Sequence, residues 1–463
     1  MKQKQGINFF SLTMIVVSLV IGMGIFKTPA TIAAKSGTPL IFFSAWFIGG
    51  VIALFGALTY AEIGQRLPVI GGYYKVFAHC YHPGVGFTIN VLILISNAAS
   101  LAVVALIGAD YVSDLLFGQP SGTLFNIIVA SASVGLFYIV NLLGLKTSSR
   151  TQNVLMIVKI SLILLLISAV FSGIKFIFIQ VGTSFFPVLT SFQTVHIATH
   201  GVNAGEIRVY DGSNGGLLLL VSLVSVFFTY GGYQQTINFG SEVKSPKTMQ
   251  RGIVVGILVV LFLYLAINYT YIQVIGFDQM KNANAIGSLL FEAWFGNFGA
   301  KVFDFAMVLS VLAYVNVILM SNPRVMFAMS EDKVLPAIFQ KKHPKTDALV
   351  PGLTVFAITT ILVTFFGKGV DDVLSFSIFL DCMGMSTSAA TLLILRRKKQ
   401  GDATVTGALK RWTPIFCVIF VLSYALVACA VVIDKPYSAI TAVILLCIVL
   451  VLYRIFYYKS STY

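Results

Sequence analysis

The chain has 463 residues, of which 57% are hydrophobic and 10% charged, and it carries a formal charge of +14. That balance leaves too little polar surface to cover a water-soluble globule of this size, so lipid must cover much of it. The positive charge invites a nucleic-acid reading, but it is dispersed among the connections between apolar runs, and that placement explains it better.

Apolar stretches recur at 8 to 36, 40 to 65, 86 to 113, 124 to 143, 151 to 172, 216 to 241, 252 to 275, 300 to 323, 351 to 366, 373 to 395, 413 to 432 and 437 to 457. Each is long enough to cross a hydrocarbon core of roughly 30 Å as a helix, whereas barrel strands would read as shorter alternating segments. The expectation is an all-α integral membrane protein with twelve transmembrane helices, one membrane domain over 1 to 463 and no soluble domain.

The first span follows Lys2 and Lys4 and could pass for a secretory signal, but eleven further spans and its own interruption at Gly22-Met23-Gly24 favour an uncleaved helix. The third span carries Asn97 and the fifth carries Lys159 near its middle. An ionised lysine at that depth costs at least about 3 kcal/mol on insertion scales, so such a residue usually has a task. The long connection 173 to 215 holds His196 and His200 at i,i+4 spacing, without the Glu of an HExxH motif; it reads as a solvated loop, and no metal site is expected.

The sixth span is interrupted at Gly231-Gly232, amid Thr229, Tyr230 and Gln234. Asp304 lies about one turn inside the eighth span, and Asp381 sits about ten residues into the tenth, a second ionisable group at depth that could relay protons or pair with a polar neighbour. Of the five cysteines, four fall in predicted helices and Cys80 stands alone in a connection, so neither a disulfide framework nor a zinc site is indicated.

With the N-terminus inside, 22 lysines and arginines fall in the termini and inner connections against 8 in the outer ones, with Lys159 making the full 31. The asymmetry follows the positive-inside rule and puts both termini in the cytoplasm, at the cytoplasmic or inner membrane.

The two interruptions are the first spans of two five-span halves, 8–172 and 216–395, with 413–457 appended as helices 11 and 12. An odd number of spans per half gives opposite topologies, the signature of inverted repeats whose discontinuous helices meet at the midplane. Unwinding frees N–H and C=O groups that each cost several kcal/mol unless satisfied, and a zwitterionic amino acid satisfies both kinds. Its carboxylate would accept from Met23, Gly24 and Ile25, aided by the N-terminal end of the following half-helix, and its ammonium would donate to carbonyls near Val20, Ile21, Phe228 and Gly231. Glycine at 22, 24 and 231 lets backbone approach the ligand, so bulk there should block substrate before it harms folding.

The stretch Val20-Ile21-Gly22-Met23-Gly24-Ile25-Phe26 resembles the G-S-G-I-F break of permeases in the amino acid-polyamine-organocation (APC) superfamily, and in particular the L-type amino acid transporter branch. Tyr60-Ala61-Glu62-Ile63-Gly64 through Arg66-Leu67-Pro68 and Gly71-Gly72-Tyr73 is similar to that family's inner segment. So are Phe228-Thr229-Tyr230-Gly231-Gly232-Tyr233 with Glu242-Val243-Lys244-Ser245-Pro246, and Asn322-Pro323-Arg324 with Leu335-Pro336.

The resemblance implies a LeuT-type fold of five plus five inverted helices, alternating access, and no cofactor. It implies that Gly22, Met23, Gly24 and Ile25 face the substrate carboxylate, that Phe228 is an aromatic gate, and that Asn97, Thr229 and Gln234 line the pocket. Lys159 matches a lysine that reaches the first break and takes the place of a sodium ion in relatives, which makes it a coupling residue, in an antiporter or a proton symporter; Asp381 joins it as a coupling candidate on its depth alone. Met23 stands where the family commonly has serine, which leaves side-chain specificity open. Residues 114 to 123 contain no cysteine for a disulfide-linked heavy chain, so a free-standing, prokaryote-like carrier is expected.

No acidic residue accompanies the breaks, which favours neutral amino acids over a polyamine or other amine. A membrane enzyme is disfavoured because no connection offers clustered His and carboxylates, a GxSxG elbow or a Gly-rich phosphate loop. An amino acid sensor using the same pocket stays open.

Overall fold

The computed structural model describes residues 6–22, 24–119, 121–182, 215–281, 286–366, 370–403, 405, 408–434 and 436–456, and helix dominates them. In chain order the helices are α1 (Phe9–Val20), α2 (Gly24–Ser36), α3 (Pro39–Arg66), α4 (Gly72–Cys80), α5 (Pro83–Phe117), α6 (Thr123–Leu142), α7 (Leu145–Gly182) and α8 (Gly215–Tyr230). There follow α9 (Pro246–Ile275), α10 (Phe277–Lys281), α11 (Ile286–Glu331), α12 (Val350–Phe366), α13 (Val370–Arg397), α14 (Thr413–Asp434) and α15 (Pro436–Phe456).

The starts are set by polar caps, often with proline behind them. Thr38, His82 and Ser245 accept N–H groups of the first turns of α3, α5 and α9, each of which opens on a proline that has no N–H to lose. Asn8 caps α1 through the Ser11 N–H at 2.7 Å. α5 ends on Gly118 in the left-handed region (φ 68°), as helices often do.

Among the described residues, eight helices are long and apolar enough to cross a bilayer. The predicted spans 8–36, 351–366, 373–395 and 437–457 are also helical but fall outside that group: the first is split between α1 and α2, and the others lie in α12, α13 and α15. α1 is enclosed, with nine of its twelve residues buried, and it packs against α9 and α7. α6 lies at the rim, where Leu136 and Ile139 are both more than half exposed, as lipid-facing side chains are.

The structure departs from the sequence expectation in local detail. The sixth span does not resume as an α-helix after its glycines: α8 stops at Tyr230, and a 3-10 helix, Tyr233–Asn238, takes over. The connection after α3 contains α4, and the eighth span extends as α11 well past Pro323 to Glu331, with a kink at Gly296. His196 and His200 lie outside the described residues.

Candidate functional site

The helical ladder stops at Val20 because Ile21 leaves helical geometry (φ −75°, ψ 84°), and α2 begins at Gly24. The second interruption is fixed by Gly232, whose φ of +108° is a conformation that side-chain-bearing residues rarely adopt. A Cβ on Gly232 would also collide with the Leu19 carbonyl oxygen, so the two broken segments touch backbone to backbone.

Side chains reinforce that meeting. The hydroxyls of Thr28 on α2 and Thr229 on α8 are 3.1 Å apart, and a Cβ on Gly24 would sit 3.1 Å from the Thr229 methyl. The Tyr264 hydroxyl, from α9, lies 3.1 Å from the Val20 carbonyl and 3.2 Å from the Thr229 carbonyl, so one phenol is shared by the last turns of α1 and α8. Its ring is held edge-on by Trp46 (centroids 5.6 Å apart) and packs beside Tyr230 (5.0 Å). Tyrosine in a run of apolar residues reads as core in a sequence, which is why this contact is not legible there.

Lys159 is 1% exposed and donates to the Ile21 carbonyl at 2.6 Å. No carboxylate pairs with it among the described residues. Gly24 and Ile25 open α2, so their N–H groups belong to the first turn, which has no intrahelical acceptor. Gly22 is half-buried, and among the described residues a Cβ there would meet the Tyr314 ring alone, at 3.9 Å. Met23 lies outside the described residues.

The remaining sequence candidates divide. Phe228 and Gly231 are half-buried at the second break, and the Gly231 N–H donates to the Phe228 carbonyl at 3.1 Å. Gln234 turns back on its own segment, its Oε1 accepting from the Gly232 N–H at 2.9 Å. Asn97 donates to Asn322 on α11 at 2.7 Å and accepts from Gln235 at 3.5 Å, an interhelical role. Asp381 is half-buried on α13, within electrostatic range of Tyr73 and Tyr314, and no hydrogen bond joins it to either break among the described residues.

Residues 7–453 match the family model for the amino acid permease. The chain belongs to the amino acid permease family. It is a multi-pass membrane transporter, not an enzyme. The permease is 26% identical over 401 residues to the "Serine/threonine exchanger SteT" of Bacillus subtilis, covering 85% of this chain and 83% of that one. It is 25% identical over 354 residues to the "Methylthioribose transporter" of the same organism (73% and 70% of the two chains). It is 25% identical over 403 residues to the "Large neutral amino acids transporter small subunit 2" of Rattus norvegicus (86% and 71%), which places the resemblance to L-type transporters on whole-chain similarity.

Buried and half-buried ion pairs tie helices to segments distant in sequence. Glu62 holds Arg66 at 2.8 Å and Arg396 at 2.5 Å, and Arg66 also reaches the exposed Asp402 at 2.7 Å. Glu242 holds Arg324 at 2.5 Å. Ile7 exchanges backbone hydrogen bonds with this segment, donating to Glu242 at 2.7 Å and accepting from Lys244 at 3.2 Å, so the residues before α1 are strapped to those after the second break.

A buried polar network is built around α7, the helix that carries Lys159. Gln152 donates to Ser18 at 2.5 Å and accepts from Asn316 at 2.7 Å, and Asn316 accepts from Asn141 at 3.0 Å. Each amide is satisfied by a neighbour on another helix, which fixes the register of α1, α6, α7 and α11 where apolar packing alone would allow sliding.

Proposed function

We propose that the permease is a secondary active transporter of neutral L-amino acids that works by alternating access across the cytoplasmic membrane, with both termini inside. In this reading twelve helices form a LeuT-type arrangement of two inverted five-helix repeats, 8–172 and 216–395, with 413–457 appended. The observation that carries it is the apposition of the two interrupted helices, Leu19 against Gly232 and Thr28 against Thr229.

The substrate carboxylate would meet the open first turn of α2 at Gly24 and Ile25, where the half-helix dipole favours an anion. The ammonium has fewer carbonyls to itself than their number suggests. Val20 and Thr229 share the one Tyr264 proton, Ile21 accepts from Lys159 and Phe228 from Gly231, so the ammonium would use their remaining lone pairs or the carbonyl of Gly231.

Neutral side chains are supported by the lack of an acidic residue in either interrupted stretch, 20–26 or 228–234, and by two of the three named relatives, whose names speak of serine and threonine and of large neutral amino acids. The ion pairs, with the Ile7 strap, suit a state sealed on the cytoplasmic side. Coupling would pass through Lys159, by proton exchange or as a fixed brace in an antiporter. A pocket of this kind needs neither metal nor cofactor, and no heavy chain or nucleic acid enters the reading.

Two measurements test it. A thermal-shift screen of the purified protein against the common amino acids, polyamines and methylthioribose should give its largest stabilisation with a neutral amino acid, since a ligand that binds the folded state stabilises it. That ligand should then drive counterflow in proteoliposomes. Stabilisation without counterflow would identify a sensor instead of a carrier.

A further inference from the structure

A cleft of about 490 Å³ opens between the turn joining α6 to α7, the segment after the second break, and the connection from α11 to α12. Its size falls within the range of roughly 300–1,000 Å³ common to small-molecule sites. Lys146, Lys244, Lys342 and Lys345 line it, each from an exposed position. Of the two carboxylates in its wall, Glu242 is already held by Arg324, which leaves Asp347 alone against the four lysines. Lysines from three separate connections therefore converge with little negative charge to oppose them.

We infer that this cleft is a binding site for the phosphate headgroup of an anionic phospholipid. The charge asks for a phosphate, and basic pockets at the ends of membrane helices take such headgroups. The rim selects a lipid over a soluble anion. Leu143, which lines the cleft and is 56% exposed, continues onto the lipid-facing side of α6 through Ile139, so a headgroup held by the lysines would lay its acyl chains along that helix. The height also suits, because α6 ends at Leu142 and α7 begins at Leu145 in the wall of the cleft, where helices leave the apolar layer.

Occupancy bears on the conformational cycle through Lys244. It follows directly on Val243, which forms the β-bridge to Ile7, and on Glu242, which holds Arg324. A phosphate shared between Lys244 and the lysines of the other two connections would fasten the strap to the frame of the bundle and stabilise closure at that end. The headgroup site needs only the membrane setting and is independent of which substrate is carried, whereas its bearing on closure rests on the alternating-access reading.

The test uses the full-length protein in phosphatidylcholine nanodiscs containing a minor share of phosphatidylglycerol, with retained lipid read by native mass spectrometry. Wild type should retain phosphatidylglycerol in preference to phosphatidylcholine. Lys146→Gln/Lys244→Gln/Lys345→Gln should weaken that retention about tenfold or more, since each lysine near a membrane surface contributes measurably to anionic-lipid affinity. The triple arginine variant of the same positions should keep it, which guards against misfolding of the glutamine variant. A control, Lys247→Gln/Lys333→Gln/Lys399→Gln, removes equal charge elsewhere at the same end and should change retention less than twofold. Three results would overturn the inference: no preference in wild type, equal losses in the two glutamine triples, or displacement of the lipid by glycerol 3-phosphate or inorganic phosphate at equal concentration, which would mark a soluble-anion site.

Discussion

The Lys159 ammonium stands 2.6 Å from the carbonyl oxygen of Ile21, the first residue past the end of α1, and the Lys159 side chain is closed to solvent. Hydrogen bonds to charged groups are worth about 1.5–3 kcal/mol. Replacing Lys159 with alanine should therefore leave a folded protein, because a methyl buries without desolvation cost, yet lower uptake by roughly tenfold to a hundredfold. Uptake by Lys159→Ala across pH checks this; a wild-type rate with an unchanged pH profile would remove Lys159 from the mechanism.

Tyr264 ties the Val20 and Thr229 carbonyls through one hydroxyl. Tyr264→Phe keeps the aromatic packing with Trp46 and Tyr230 while removing the one phenol proton that the two buried carbonyls share, at a cost of about 1–3 kcal/mol. The expected result is a melting temperature lowered by a few degrees and a larger loss in substrate-induced stabilisation, because the two breaks are no longer held in register. Thermal-shift curves with and without substrate separate the two effects; equal curves for mutant and wild type would mean the hydroxyl positions nothing.

Two glycines should respond to alanine in opposite ways. Gly22→Ala places its methyl 3.9 Å from the Tyr314 ring, an ordinary contact, so the protein should fold with transport reduced or lost. Gly232→Ala combines a φ of +108° with a collision against the Leu19 carbonyl, so it should yield little folded protein. Size-exclusion profiles and uptake of the two variants side by side decide the matter; wild-type transport by Gly22→Ala would argue against a substrate at the first break.

Glu62 is 4% exposed and serves two arginines, whereas Asp402 shares Arg66 from an exposed loop. Removing one partner of a buried pair strands the other charge, at about 3–5 kcal/mol, so Glu62→Gln should be strongly destabilising and Asp402→Asn only slightly so. The hydrogen bond from Arg66 holds the Asp402 carboxyl below its ordinary range. Its folded value is thus the lower one, and its contribution is present above about pH 4 and fades as the pH falls through the folded value. Melting temperature against pH should show that acid-side loss in wild type and a flatter acid limb in Asp402→Asn.

The breaks were legible because glycine in an apolar run is a backbone signal that packing seldom overrides. The course after the second break was not, since Gln234 accepts locally from the Gly232 N–H while Asn238 accepts from the Tyr73 N–H of the distant α4, and hydropathy alone cannot tell the resulting 3-10 turn from a helix. Asn97, Asn141 and Asn316 read from sequence as isolated polar residues. Only the three-dimensional pairing of α5, α6, α7 and α11 reveals that they answer one another and Gln152 or Asn322. Glu62 and Arg66 could be paired from their i,i+4 spacing, but Arg396 arrives from more than three hundred residues away, and no local pattern announces it.

The strand pairing of Ile7 with Val243 has a practical bearing on how this protein is handled. A Cβ on Gly6 would lie 3.0 Å from the Glu242 carbonyl oxygen, so the chain enters the bundle through a gap without room for a bulky neighbour. An affinity tag or fluorescent protein fused close to that entry would lever the strap away from its seat, and preparations made that way would lose the Ile7 hydrogen bonds to Glu242 and Lys244. A flexible spacer ahead of Gly6 would leave it undisturbed.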